Sequence, residues 1–265
     1  MSGGDGRGVV KLPPMKVRGW IFGVAAVAVG LVAAGSALSF GGQPSRARPA
    51  SRAVISEPVV LELFTAQGCA GCPEANQLVE TAAGTPGIIV LTYGVDYWDY
   101  LGWPDTFARP EFAERQNAYR QALRLRSIST PQVVIDGRRQ VSGTRPPELQ
   151  LAIDEEAARR VFPPEIEFRA GGQRVGVGSG RAPQGGAEVV AVTYTPGLQS
   201  VEIDRGDNRG RTVRQLNVVR GVTRLGTWSG RSTLFDLPPT VNEGDAVVVL
   251  LQARADRRIL SAATR

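Results

Sequence analysis

Between residues 57 and 160 the chain alternates apolar runs with helical stripes; beyond that point only short strand-like runs remain. Val59-Val60-Leu61-Glu62-Leu63-Phe64-Thr65 is apolar except for one carboxylate and one hydroxyl, and it reads as a buried strand. Pro73-Glu74 then opens a helical pattern that puts Ala75, Leu78, Val79 and Ala82 on one face. Ile88 to Tyr93 gives a second buried strand. Arg109 to Leu125 gives a helix with Pro110 and Glu111 in its first turn. Gln132-Val133-Val134-Ile135, the turn signal Asp136-Gly137 and Arg139-Gln140-Val141 predict a hairpin. A last helix starts near Pro146-Pro147 and turns Leu149, Ala152, Ile153 and Ala157 inward. The order is βαβαββα, with the first two strands parallel through a right-handed crossover and the hairpin antiparallel.

Phe162-Pro163-Pro164 breaks that last helix and marks a boundary. Ile166/Phe168, Val175/Val177, Val189 to Tyr194, Val201/Ile203, Val213 to Val219, Leu234 to Leu237 and Ala246 to Leu251 follow, separated by turns rich in Gly, Pro and Asp. The expectation is an α/β domain over residues 56–161 and an all-β, sandwich-like domain over 162–265.

Upstream, Trp20 to Phe40 is an uncharged apolar run of 21 residues, preceded by Lys16 and Arg18 and followed first by Arg46. Its length suits one transmembrane helix over residues 19–40 and exceeds the core of an ordinary signal peptide. The basic flank places residues 1–18 in the cytoplasm and the rest outside, behind a flexible tether over 41–55. The expected location is the inner membrane with the C-terminal domains outside the cytoplasm. Small residues at Ala34, Gly35, Ser36 and Ala37 offer the alternative of a cleaved signal and a secreted or periplasmic product.

The net charge of +6 adds little. Only Lys11 and Lys16 of the 31 basic residues are lysine, and the arginines are spread along the chain without a dense stripe, so no nucleic-acid partner is expected. Gly176-Val177-Gly178-Ser179-Gly180 is not followed by a helical pattern, which discounts a phosphate loop. Arg205-Gly206-Asp207-Asn208 reads as a turn. The absence of histidine excludes Ser-His-Asp and Cys-His nucleophiles.

The chemistry concentrates in Cys69-Ala70-Gly71-Cys72, the only two cysteines of the chain. A strand, a short loop and two thiols at a helix N-terminus form a redox arrangement. The thiols are close enough to pair, and the positive helix end favours the thiolate. A closed zinc site would need four ligands and finds two thiols and no imidazole, so no metal and no cofactor are expected within one chain. A metal or cluster shared by two chains and an inert structural disulfide stand as alternatives; a bridge closing so short a loop is a weak staple.

The element order, with C-x-x-C after the first strand and Thr130-Pro131 before the hairpin, resembles the thioredoxin fold. That resemblance implies a cis Pro131 packed against the disulfide and a Thr130 backbone that pairs with an extended substrate. Glu62-Leu63-Phe64-Thr65-Ala66-Gln67-Gly68-Cys69, Val95-Asp96-Tyr97-Trp98-Asp99-Tyr100-Leu101-Gly102-Trp103 and Thr130-Pro131-Gln132-Val133-Val134-Ile135-Asp136-Gly137 look more narrowly like one family. It is an uncharacterised set of secreted bacterial thioredoxin-like proteins known as domain of unknown function 1223. Asn217-Val218-Val219-Arg220 and Leu225-Gly226-Thr227-Trp228 look like its C-terminal half.

The stretch from Tyr93 to Phe107 is long for a loop and crowded with aromatic and acidic residues. Tyr97, Trp98 and Trp103 are candidates for a substrate platform beside the disulfide, and Asp96 or Asp99 for a proton relay. The functional expectation is a membrane-tethered extracytoplasmic thiol–disulfide oxidoreductase, with Cys69 attacking and Cys72 resolving. Its partners would be exported thiol or disulfide proteins and a membrane redox protein. The alternative is a non-enzymatic binding or scaffold protein with a structural disulfide.

Overall fold

A computed structural model describes residues 57–159, 163–240 and 242–265. The elements are β1 (Val59–Thr65), α1 (Cys72–Ala83), β2 (Ile88–Gly94), α2 (Pro110–Ala122), β3 (Gln132–Ile135), β4 (Arg139–Val141) and α3 (Pro146–Ala158). They continue with β5 (Ile166–Arg169), β6 (Arg174–Val177), β7 (Ala187–Glu202), β8 (Thr212–Trp228), β9 (Thr233–Asp236), β10 (Ala246–Ala253) and β11 (Ile259–Thr264). The first seven follow the predicted order, with β1 and β2 parallel and β3 antiparallel to β1.

The architecture corrects the expected one. A thioredoxin-like α/β domain followed by a separate sandwich is not what forms. Eight strands make one mixed sheet in the order β11-β10-β7-β8-β2-β1-β3-β4, and only β5, β6 and β9 form a second sheet. The long β7–β8 hairpin pairs across the outer edge of β2, an edge that would otherwise expose its N–H and C=O groups. The clue lies in composition: Ala246 to Ala253 is almost continuously apolar and almost wholly buried, as in a strand covered on both faces. The transmembrane run expected over residues 19–40 lies outside the described residues. Among those described, no helix is long and apolar enough to cross a membrane.

Side-chain alternation sorts the core into faces. Val60, Phe64, Leu91 and Tyr93 join Phe112 and Tyr119 of α2 and the β7 and β10 residues Val192, Val248 and Leu250 on one face. Leu61, Leu63 and Val90 pack instead on Ala75 and Val79 of α1 and on Leu149, Ala152 and Ile153 of α3. Val247, Val249 and Leu251 face the small sheet through Val175 and Val177 of β6, with Trp228 of β8 packed in the same cluster.

The β2–β8 seam is held largely by side chains. Only Thr92 and Val218 pair as ladder partners. Thr92 Oγ1 donates to the Leu216 carbonyl at 2.5 Å, and Asn217 Nδ2 donates to the Val90 carbonyl at 3.0 Å. Asn217 adopts a left-handed φ of 50°, a conformation asparagine tolerates better than most residues.

Candidate functional site

β1 ends at Thr65, and the chain turns so that the Cys69 N–H reaches the Ala66 carbonyl and the Cys72 N–H reaches the Cys69 carbonyl, each at 3.2 Å. Cys72 is the first residue of α1, and Pro73 follows where its missing N–H costs no helical hydrogen bond. Cys69 and Cys72 form a disulfide, with Cα atoms 5.4 Å apart. The helix N-terminus therefore points at the sulfur pair. Both cysteines are buried, Cys69 with 2% and Cys72 with 0% of its surface exposed, while Ala70 and Gly71 between them are exposed. Cys69, the sulfur expected to attack, is the more exposed of the two only by that 2%.

The segment before β3 completes the site. The Thr130–Pro131 bond is cis. The Thr130 carbonyl oxygen lies 3.8 Å from Cys69 Sγ, and Pro131 Cδ lies 3.8 Å from the point where a Cβ on Gly71 would stand. Ser129 is exposed and Thr130 half-buried, so this stretch forms the accessible wall beside the disulfide.

Tyr97 is half-buried, and its hydroxyl bonds within the protein. Its hydroxyl contacts Thr130 Oγ1 and donates to Gln116 Oε1 at 2.8 Å. Gln116 Nε2 in turn donates to the Ser129 carbonyl and to Gln132 Oε1, both at 2.9 Å. Burial raises the Tyr97 phenol above its ordinary range despite the opposing hydrogen bonds from Thr130 and Gln116. Trp98 is half-buried, with its ring centroid 6.4 Å from that of Tyr100 in a stacked pair, and Tyr100 is 78% exposed. The backbone oxygen of Trp98 lies 3.7 Å from a Cβ built on Gly68, so this aromatic pair flanks the cysteine turn.

Trp103 Nε1 donates to Gln67 Oε1 at 2.8 Å and so ties the aromatic loop to the turn. Asp99 Oδ1 accepts the Asp105 N–H at 3.0 Å, which organises the loop itself. Asp96 is half-buried beside Tyr97, and no hydrogen bond among the described residues links Asp96 or Asp99 to either cysteine.

Three residues that sequence reasoning did not single out hold the turn. Asp105 is buried and accepts the Gln67 N–H at 2.6 Å through Oδ2 and the Phe107 N–H at 2.8 Å through Oδ1. Burial pushes its carboxyl above the ordinary range, and the backbone hydrogen bonds only partly offset this. Gln67 is itself fully buried and also donates to Thr106 Oγ1 at 2.8 Å. Asn208, between β7 and β8, donates from Nδ2 to the carbonyls of Gln67 and Cys69, both at 2.8 Å. Nothing local marks Asn208, because its partners lie about 140 residues earlier in the chain. Among the described residues no group of three or more Cys, Asp or Glu side chains is placed to hold a metal.

The chain resembles a crystal structure of an Agrobacterium tumefaciens protein with 30% identity and a TM-score of 0.65, covering 78% of this chain and 92% of that one. It also resembles HBP35 of Porphyromonas gingivalis with 13% identity and a TM-score of 0.54, covering 79% of this chain and 75% of that one, a likeness of fold alone. No curated protein matches. The profile described as "Protein of unknown function (DUF1223)" matches residues 60–252, which include both cysteines, the Thr130-Pro131 wall and the Asn208 turn. The chain belongs to that family.

Proposed function

We propose that this protein is a thiol–disulfide oxidoreductase working through the Cys69–Cys72 pair. The observation that carries the reading is the placement of a two-residue-spaced disulfide at the start of α1, against the partly exposed Ser129-Thr130-Pro131 wall. A substrate thiolate attacks Cys69 Sγ, the Cys69–Cys72 bond breaks, and Cys72 leaves as a thiolate favoured by the helix N-terminus. A second substrate thiolate then attacks the substrate sulfur of the mixed disulfide and releases Cys69. Two electrons pass from the substrate dithiol to the cysteine pair, and two protons follow. The pair is restored, or the reverse reaction driven, by a partner dithiol–disulfide protein. The charge-free run over residues 20–40 behind Lys16 and Arg18 supports tethering in a membrane with this site outside the cytoplasm.

Burial of both sulfurs favours a second reading, a structural disulfide in a binding protein. One experiment separates them. The Cys72→Ala variant, expressed in a host that exports it, should accumulate mixed disulfides through Cys69, because the resolving thiol is gone. A free, alkylatable Cys69 with no adducts on diagonal gels supports the structural bridge instead.

A further inference from the structure

Asn208 is completely buried in a turn whose neighbours Asp204, Arg205, Asp207, Arg209 and Gly210 are exposed. The turn is internally bonded, from the Ile203 N–H to the Arg211 carbonyl at 3.0 Å and from the Gly210 N–H to the Ile203 carbonyl at 2.7 Å. Within the tip the Asn208 side chain adds only its Oδ1, which accepts from Arg211 Nη1 at 3.3 Å. The Nδ2 group is spent instead on the carbonyls of Gln67 and Cys69. The Cys69 carbonyl also accepts the Cys72 N–H, so Asn208 braces the peptide group that starts α1 and sets one sulfur against the other. On its other side the hairpin tip meets the aromatic loop: a Cβ on Gly206 would lie 3.7 Å from Leu101 and 3.8 Å from Trp103.

We infer that Asn208 is a positioning residue for the disulfide, and that the tip of the β7–β8 hairpin tightens when Cys69 and Cys72 are bonded and loosens when they are reduced. The inference rests on the exchange reaction proposed above for its biological use, while the coupling itself requires only that the disulfide be reducible. The physical argument is reciprocity. The clamp fits the turn in its disulfide-bonded shape, so it favours that state, and the bonded state must favour the clamp by the same factor. A net hydrogen bond made fully in one state only corresponds to roughly a tenfold change in the equilibrium constant. Loosening the tip on reduction would also free the Leu101–Trp103 side of the aromatic loop, which the tip packs against.

The test uses the full-length protein in glutathione buffers. The Cys69–Cys72 bond opens, the sulfur–sulfur bond of oxidised glutathione forms, and two electrons and two protons move from two glutathione molecules to the cysteine pair. Asn208→Ala should shift this equilibrium toward the dithiol by about tenfold, which is about 30 mV toward easier reduction. In the wild type, amide hydrogen exchange over residues 203–211 should be faster after reduction than before, and in Asn208→Ala that difference should vanish.

An unchanged glutathione equilibrium in a folded Asn208→Ala variant overturns the inference. So does equal exchange of the wild-type tip in both redox states, a measurement that needs no variant and decides the matter if Asn208→Ala fails to fold. A wild-type pair that ignores glutathione but opens with excess dithiothreitol defeats the oxidoreductase reading, and the tip comparison after that reduction still tests the clamp.

Discussion

Glu62 and Asp105 are both carboxylates taken out of water, and they respond in opposite directions. For each, burial is the largest influence and acts to raise the pKa. At Glu62 the Arg115 guanidinium, with Nε 2.7 Å from Oε1, together with hydrogen bonds from Arg115 and Tyr119, outweighs burial and holds the carboxyl below its ordinary value. Asp105 has backbone N–H donors, no cation among its influences, and the Asp99 charge acting against it; burial wins and the carboxyl is pushed up. A buried acid is decided by its partner. The charged cluster welds α2 to β1 and β10, since Arg115 and Tyr119 also reach Gln252. The hydrogen-bonded clamp around Asp105, Gln67 and Asn208 holds the cysteine turn and leaves it responsive to what happens at the sulfurs.

The sharpest break in this comparison is Arg115→Met. Removing the cation leaves Glu62 fully buried without its charge partner, and the expected loss is about 3–5 kcal/mol of stability in denaturant unfolding. A loss below about 1 kcal/mol would mean that the charged cluster does not hold the core.

Asp105→Asn comes next. One amide oxygen cannot accept both the Gln67 and Phe107 N–H groups as the carboxylate does, so one donor is stranded at a cost of about 1–3 kcal/mol. The pH dependence separates the two acids. Asp105 has a raised folded value, so its contribution is complete below its unfolded value and is lost as pH rises through the folded one. Glu62 has a lowered folded value, so its contribution is present above its unfolded value and is lost as pH falls through the folded one. Thermal unfolding across the acid range should therefore show that Glu62→Gln flattens the acid-side loss and Asp105→Asn deepens it. Parallel shifts in both variants would erase the distinction.

Tyr97→Phe should cost about 1 kcal/mol, because it removes a hydroxyl shared by Thr130 and Gln116 without stranding a charge. The informative readout is hydrogen exchange at Ser129 and Gln132, which should rise if this chain of bonds holds the wall beside Cys69. Arg214→Ala is the mildest change. Its ion pair with Glu80 at 2.8 Å joins β8 to α1, yet the arginine is more than half exposed, and less than about 1 kcal/mol is expected. A larger effect would show that the hairpin leans on α1 more than its burial suggests.

Much of the first half was legible. The Asp136-Gly137 turn, Pro110 and the Pro146-Pro147 pair announced elements that lie within a few residues of their expected ends. Cys69 and Cys72 are legible from their spacing at a strand-to-helix turn, and Thr130 and Pro131 only through the resemblance that the element order carries. The second half is legible as strands but not as an assembly. Val189 to Tyr194 and Ala246 to Leu251 are strands, but they extend the first sheet instead of pairing off into a sandwich. Trp103 lies in the stretch expected to form a substrate platform, and its indole nitrogen is bonded to Gln67. An aromatic residue in a loop carries the same sequence signal whichever way its ring turns.

By itself the sequence determined where helices start, where hairpins turn and which two thiols lie close enough to bond. Each of these is settled by residues within a few positions of one another, through fixed φ values, turn conformations and apolar periodicity. Only the tertiary structure decided that β8 would cover β2, that Glu62 would meet Arg115 while Asp105 met only backbone, and that Asn208 would reach the Cys69 carbonyl. A sheet edge offers the same N–H and C=O groups to any strand, and a buried amide or carboxylate takes its properties from whatever the completed fold sets against it.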